Sequence, residues 1–231
     1  MGKIKEIIYF DKPYLRTNTD EMVEFAAKRL KELNLRTVVI AWETGYTFWK
    51  FLEAAERHGL KDKLNIVVVT NPKGAILKGR HVSIDDETRA KLEGIGVKVC
   101  YLRDYFQIGE PFDETRPSDY KERLNILRAF GVSPYVRPLD LAVGTDLSLL
   151  TIISQGFRVC VGITVLATKN GLIPEGEYVL ALGGISTGLI LRASSDARRC
   201  LVKEILGYDR DWKAEDPYAN MREHLEKMGK D

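Results

Sequence analysis

Runs of β-branched and apolar residues alternate along this chain with segments whose apolar residues recur at helical spacing. The run 37–41 is followed by Phe48 and Phe51 on one helical face, and the runs 65–70 and 97–102 have the same strand character. The full expected order is a strand at 4–10, a helix capped by Thr19 or Asp20, the strand 37–41, a helix to about residue 58, the strand 65–70, a helix opened by Asp85, and the strand 97–102. Such alternation predicts an α/β fold with a mostly parallel, doubly wound sheet.

The second half of the chain is less regular. Residues 104–138 hold several glycines and prolines around one helical piece at 120–130, and so long an insertion is usually functional or part of an interface. Further elements are expected as a helix at 146–155, a strand at 159–164, strands at 177–182 and 189–193, a helix at 197–206 and a short helix at 218–228. We therefore predict one domain over 1–231, with an insertion at about 104–140 and a charged tail from about residue 207.

The loop after the strand 37–41 carries a glycine between hydroxyl residues, in the order Glu43-Thr44-Gly45-Tyr46-Thr47. In open α/β sheets ligands bind outside the carboxyl ends of strands, where the N–H groups and dipole of the next helix favour anions. A glycine permits close approach of an anion, and each threonine offers a hydroxyl donor. The loop is therefore a candidate phosphate site, although an ordinary strand-to-helix turn explains the same residues equally well.

Two other polar loops follow predicted strands and extend this candidate site. Their candidate residues are Thr70, Asn71, Lys73 and Gly74 in one loop, and Gly183, Gly184, Ser186, Thr187 and Gly188 in the other. Lys73 either adds charge to an anion site or is a solvated lysine in a turn. Trp42 and Tyr46 flank the first loop, where they either stack on a flat ring or pack in the core.

The glycine-rich loop matches no nucleotide-triphosphate or dinucleotide motif. A Walker A loop requires lysine and then serine or threonine after its second glycine, but Leu189 and Ile190 follow here. The letters at 184–188 match a nucleophile elbow, yet a strand is expected next and the only downstream histidine is His224. The pattern therefore disfavours a hydrolase.

Composition excludes several classes of protein. The 231 residues carry a net charge of +2 with both signs mixed, which argues against a dedicated nucleic-acid surface. We expect no signal peptide and no membrane span, since no stretch approaches ~20 apolar residues. Cys100, Cys160 and Cys200 are scattered, which indicates a reducing cytoplasmic setting, and the histidines lack metal-ligand spacing. Many charges and only two glutamines are typical of thermophile proteins.

Several segments together resemble the stand-alone archaeal relatives of the pyruvate kinase C-terminal α/β domain. The resemblance covers about residues 4–102 and 145–200. The segments that carry it are Tyr9-Phe10-Asp11-Lys12-Pro13 with Asn18-Thr19-Asp20, the 43–47 loop, Asp85-Asp86-Glu87-Thr88-Arg89, the residues 154–160, Gly171-Leu172-Ile173-Pro174, and the Gly183-Gly184 loop.

This resemblance implies a three-layer α/β/α sandwich with a mixed sheet and one antiparallel edge strand. In pyruvate kinase the loop equivalent to Thr44–Thr47 holds the phosphate of an allosteric sugar bisphosphate, and some stand-alone relatives carry bound flavin mononucleotide (FMN). The Thr44-Gly45-Tyr46-Thr47 spelling is also similar to the phosphate loop of flavodoxins. The chain departs from the family in its insertion, its tail and the spelling of the glycine-rich loop at 183–188.

The resemblance does not imply pyruvate kinase activity, because that reaction takes place in a separate (β/α)₈ barrel. The barrel alone takes ~250 residues, whereas this sequence has 231. No catalytic acid or base is evident in the sequence, so whether the protein is an enzyme stays open. The first hypothesis is binding of a phosphate-bearing small molecule, FMN foremost. The alternatives are a sugar-phosphate-binding protein and a non-catalytic regulatory or interaction module. Apolar residues of the insertion, such as Tyr105 and Phe112, further predict a homo-oligomer.

Overall fold

The computed structural model describes residues 6–11, 15–60, 63–77, 80–102, 139, 143, 147–184 and 186–210. Its strands are β1 (Ile8–Phe10), β2 (Thr37–Trp42), β3 (Asn65–Thr70), β4 (Ile76–Leu77), β5 (Arg80–His81), β6 (Lys98–Tyr101), β7 (Tyr178–Gly183), β8 (Thr187–Arg192) and β9 (Leu201–Asp209). Its α-helices are α1 (Arg16–Glu32), α2 (Tyr46–Arg57), α3 (Asp86–Gly94) and α4 (Gln155–Lys169), with short 3-10 helices at Ser148–Ile152 and Ala197–Arg199. Nearly all of the 104–140 insertion, including the helix expected at 120–130, and the tail beyond 210 with its expected helix lie outside the described residues.

Seven strands form one sheet in the order β1-β9-β8-β7-β2-β3-β6. All neighbouring pairs are parallel except those of β8, which is antiparallel to β7 and to β9. The prediction of an α/β fold with a mostly parallel sheet is confirmed, and one strand, β8, is antiparallel to its neighbours, although it was expected at the edge of the sheet. That strand is third from one edge, because the chain reverses again after Cys200 and places β9, and then β1, outside it.

Two apolar clusters lie on opposite faces of the sheet. Along β2, Val38 and Ile40 point into the cluster that contains the buried residues of α1 and α2, whereas Val39 points into the cluster of α4. Successive strand side chains alternate between faces, so a strand covered on both faces is apolar throughout. The helices therefore hold the sheet from both sides and leave the loops at its carboxyl edge to form a site.

Three elements differ from the sequence prediction. Where a helix was expected at 146–155, the structure has a 3-10 helix at Ser148–Ile152. The strand expected at 159–164 is instead part of helix α4. Because α4 is buried almost all round, its β-branched run shows no helical periodicity that would separate it from a buried strand. The helix expected at 197–206 is mostly β9, since pairing with β8 overrides the helical spacing of its apolar residues.

The remaining helices and strands follow the prediction with small shifts. Helix α2 ends at Arg57 and is followed by Gly59 with φ of 70°, and Asp85 caps α3 as expected. Helix α1 begins at Arg16, so the prediction that Thr19 or Asp20 caps it is wrong by one turn. Strand β9 runs to Asp209, so residues 207–209 of the predicted tail belong to the sheet.

Candidate functional site

Three loops predicted to form a site emerge at the same edge of the sheet. Strand β2 lies between β7 and β3, and all three are parallel, with Ile40 beside Leu182 and Trp42 beside Thr70. The chain then leaves β2 toward β3 but leaves β7 toward β8, in the opposite direction along the sheet. Such a reversal at carboxyl ends marks the usual ligand crevice of open α/β sheets.

The loop 43–45 and the first turn of α2 form the centre of this edge. Gly45 is the N-cap of α2, with φ of 83°, and the Trp42 indole lies 2.8 Å from the position of a Cβ atom added there. Thr44 is exposed, Thr47 is half-buried, and Glu43 is half-buried and engaged with other groups. The turn therefore requires glycine for its own conformation, while both threonines face the surface or are partly open to it.

The aromatic residues beside this loop have different environments. Trp42 is 8% exposed and packs against Phe48 with ring centroids 5.5 Å apart, so it belongs to the core. Tyr46 is half-buried and donates its hydroxyl to Asp20 Oδ1 at 2.8 Å, while the Arg16 guanidinium lies 5.1 Å from its ring centroid. Burial, and then the contact with Asp20, raises the pKa of Tyr46 to about 12, so the phenol stays neutral. Tyr46 thereby joins the first turns of α1 and α2.

The two joined helix N-termini differ from those of the other helices in their N-cap residues. Leu15 at α1 and Gly45 at α2 make no side-chain capping hydrogen bond, and neither helix has an acidic residue in its first turn. By contrast, Asp85 accepts from the Thr88 N–H at α3, and Ser154 accepts from the Phe157 N–H at α4. Uncapped first-turn N–H groups carry partial positive charge, so the edge above β2 favours an anion.

The loop after β3 turns its polar groups toward the segment 82–86. Thr70 is buried and its hydroxyl accepts from the Ile84 N–H at 3.2 Å, and the Asn71 amide donates to the Val82 carbonyl at 3.0 Å. The Gly74 N–H donates to the Ser83 hydroxyl at 3.0 Å. Lys73 forms an exposed ion pair with Asp86 at 2.7 Å. These groups brace this loop, and Lys73 lies at the start of α3 rather than on the 43–47 loop.

The predicted loop at 183–188 is a tight hairpin turn between β7 and β8, with Gly183, Thr187 and Gly188 inside the strands. A Cβ atom on Gly183 would lie 2.5 Å from the Gly156 carbonyl oxygen, and one on Gly188 would lie 2.7 Å from a sulfur atom of α1. These two glycines therefore serve close packing of helices on the sheet. Gly184 has no neighbour within 4 Å of its Cβ position, so the backbone is open there.

The last residue of the hairpin turn contacts α1. Ser186 has φ of 49° and is 5% exposed, and its hydroxyl lies 3.2 Å from the hydroxyl of Thr19. One residue earlier in α1, the Asn18 amide donates to Asp209 Oδ1 at 3.5 Å, at the carboxyl end of β9. The first turn of α1 therefore reaches both the hairpin and β9.

Asp209 is a buried carboxyl group that sequence reasoning missed. Its side chain is 0% exposed, and Oδ2 has no hydrogen-bond partner among the described residues. Burial, opposed by the contact with Asn18, raises the pKa of Asp209 to about 8. Because a helix was predicted at 197–206 and a charged tail after it, Asp209 was assigned to the tail and not to the end of a strand. The strand–loop–helix logic used for β2 also applies to β1 and α1, and it is the signal by which the first turn of α1 could have been included.

Other kinds of site have no counterpart in the described part of the chain. No group of three or more histidine, cysteine, aspartate or glutamate side chains there is arranged to hold a metal ion. Cys100 and Cys160 are buried, as expected for cysteines that pack as small apolar residues, and burial raises the pKa of Cys200 to about 11. Within the same residues, no helix has both the length and the apolar character needed to cross a membrane. No protein-family model matches the sequence.

Proposed function

We propose that this protein binds a phosphate-bearing small molecule, with FMN as the first candidate, at the carboxyl edge above β2. The observation that carries the proposal is the pair of helix N-termini, α1 and α2, whose N-cap residues provide no side-chain cap and which are joined through Tyr46. A phosphate there accepts from first-turn N–H groups, which the side chains of the N-cap residues Leu15 and Gly45 do not cap. The hydroxyls of Thr44 and Thr47 supply further donors, and Arg16 supplies positive charge beside them.

The surroundings of this anion site suit the remainder of such a ligand. Gly184 is open at the hairpin next to β2 and lets a ring approach the backbone there. The polar groups of Thr70, Asn71 and Gly74 brace the opposite side of the crevice. If the ligand is FMN, any redox chemistry belongs to the flavin, while the protein supplies binding and orientation.

We further propose that the chain is a stand-alone relative of the pyruvate kinase C-terminal domain, with its three-layer α/β/α arrangement and a cytoplasmic location. This relationship is supported by the order of the quoted segments and by helices packed on both faces of a mostly parallel sheet. A sugar phosphate is the alternative ligand, and a regulatory or interaction module without a bound small molecule is the alternative function.

The absorbance spectrum of the freshly purified protein separates these functions. Flavin bands at about 370 and 450 nm, released as FMN on denaturation, are the expected result. A colourless protein is then titrated with FMN and with sugar phosphates by calorimetry. Binding of a sugar phosphate alone selects the alternative ligand, and binding of neither overturns the proposal in favour of the interaction module.

A further inference from the structure

A line of polar groups runs from the proposed phosphate site to Asp209 along the carboxyl edge of the sheet. The order β2, β7, β8, β9 places the hairpin turn between the 43–47 loop and Asp209. Three strand spacings separate β2 from β9, or about 14 Å. That separation is close to the length of a mononucleotide or of FMN.

The first turn of α1 lines the whole of this path. Arg16 and Asp20 contact Tyr46 at the phosphate end, Thr19 contacts Ser186 at the hairpin, and Asn18 contacts Asp209 at the far end. Successive positions of one helical turn thus reach all three parts of the edge. A ligand lying along the edge follows α1 from one end of this turn to the other.

Asp209 and Ser186 form the far end of the path. The pairing of Gly188 with Gly207 in β8 and β9, continued by two residues, brings Ser186 opposite Asp209. The carboxyl Oδ1 is turned toward Asn18 of α1, while the buried Oδ2 has no partner in the described part of the chain. A buried polar atom without a partner costs free energy, which a bound group with a suitable donor recovers.

We infer that Asp209 Oδ2 accepts a hydrogen bond from a ring N–H group at the end of the ligand opposite its phosphate, a specificity contact that rests on the proposed function. The ligand class is therefore a phosphate ester with an N–H-bearing heterocycle, such as the imide of FMN, rather than a plain sugar phosphate. Burial favours a proton on this carboxyl in the empty site. An approaching N–H group favours the charged form, so the proton leaves to the solvent when the ligand binds.

Access to Asp209 requires α1 and the hairpin turn to separate slightly. Thr19 contacts Ser186 of the hairpin turn at 3.2 Å, and Asn18 contacts Asp209 at the end of β9 at 3.5 Å. Both distances are long for their types of hydrogen bond, so these contacts are weak. Ser186 also holds a positive φ of 49°, a conformation that is uncommon for a non-glycine residue. A ring edge that replaces these two contacts therefore breaks only weak hydrogen bonds.

The test compares Asp209→Asn with the wild type, using FMN and ribose 5-phosphate as probes in calorimetry. Asn18 keeps the new amide oxygen turned toward itself, so the NH₂ group faces the ring N–H and two donors oppose each other. We expect FMN affinity to fall about tenfold, with ribose 5-phosphate affinity unchanged. Proton release on FMN binding, measured in buffers of different ionisation enthalpy, is expected in the wild type and lost in Asp209→Asn.

Two further variants make the result specific. Asp11→Asn removes a carboxylate from the same sheet edge, where Asp11 pairs with Arg210 in solvent, and it should change neither affinity. Asn18→Ala removes the group that orients Asp209 and should give a smaller loss for FMN alone. Thermal unfolding of each variant confirms that it is folded.

The inference is overturned if Asp209→Asn binds FMN as the wild type does, or loses ribose 5-phosphate to the same extent. A wild-type protein that binds ribose 5-phosphate but not FMN overturns it as well, because the ring edge is then not recognised. If the wild type binds neither probe, the proposed function itself fails. The phosphate site and the Asp209 contact are therefore judged separately.

Discussion

Gly45 shows how one residue serves both the fold and the proposed site. Its φ of 83° and the Trp42 ring at 2.8 Å from its Cβ position mean that any side chain there strains the turn and displaces the indole. Loss of binding in Gly45→Val therefore reports on the turn and says nothing of an anion. Thr47 is the better probe, because it is half-buried and its substitution leaves the turn intact.

Thr47→Ala should lower the affinity for FMN or a sugar phosphate about tenfold, or 1–2 kcal/mol, since one hydroxyl donor to the phosphate is lost. The fold should tolerate the change because the site lies at the surface end of the sheet. Calorimetric titration measures the affinity, and the melting temperature controls for folding. A Thr47→Ala protein that is folded and binds with wild-type affinity would show that this hydroxyl does not meet the phosphate.

Asp209 should make the stability of the ligand-free protein depend on pH. Its pKa is raised from 3.8 to about 8 in the folded state, so between these values the folded protein holds a proton that the unfolded chain does not. The stability contributed by this group is thus fully present below about pH 4 and is lost as pH rises to about 8.

Asp209→Asn removes this dependence. Relative to the wild type, the variant should gain stability progressively from about pH 4 to about pH 8, by up to a few kcal/mol. Urea unfolding across that range measures the difference. A wild-type curve with the same pH dependence as the variant would mean that Asp209 ionises normally.

At the scale of elements, the sequence predicted best where one face of a helix is exposed or a strand is strongly β-branched. Strands β2 and β3 and helices α2 and α3 lie close to their expected positions for this reason. It failed for α4, whose apolar surface has no polar side, and for β9, whose pairing with β8 is not visible in the local pattern of apolar residues. The sequence accordingly predicted the loops after β2, β3 and β7 as parts of the candidate site. It did not predict the part that is built on α1 and β9.

The uncapped start of α1 leads to a prediction about helix capping. Leu15 is 41% exposed with φ of −86° and ψ of 134°, a conformation suited to a serine cap. Leu15→Ser should stabilise α1 by about 1 kcal/mol. It should also weaken phosphate binding, because the serine oxygen accepts a hydrogen bond from a first-turn N–H group that would otherwise donate to the phosphate.

The matched control for capping is Asp85→Ala, which removes the cap of α3. It should cost about 1 kcal/mol of stability without affecting ligand affinity. Chemical unfolding and calorimetric titration of both variants provide the comparison. Equal phosphate affinity in Leu15→Ser and the wild type would exclude α1 from the phosphate site.

At the scale of the molecule, exposed apolar side chains point to self-association. Leu149 and Ile152 of the 3-10 helix before α4 are 75% and 80% exposed. Together with the apolar insertion at 104–140, they predict a homo-oligomer, which light scattering at micromolar concentration should detect. Ile152→Lys should shift the protein toward monomer, whereas Ile95→Lys, at another exposed apolar position, should not. A monomeric wild type contradicts this prediction.

The burial of α4 has a consequence for the dynamics of the whole chain. From Gln155 to Thr168 only Val159 is not buried, whereas in α3 only Leu92 is buried. Helix α3 can therefore open locally, while α4 cannot separate from the sheet without exposing an entire core. Amide hydrogens of α4 should exchange with deuterium only through global unfolding, and those of α3 many times faster. The exchange rates of the α4 amide hydrogens would then each report the free energy of global unfolding, in a single experiment.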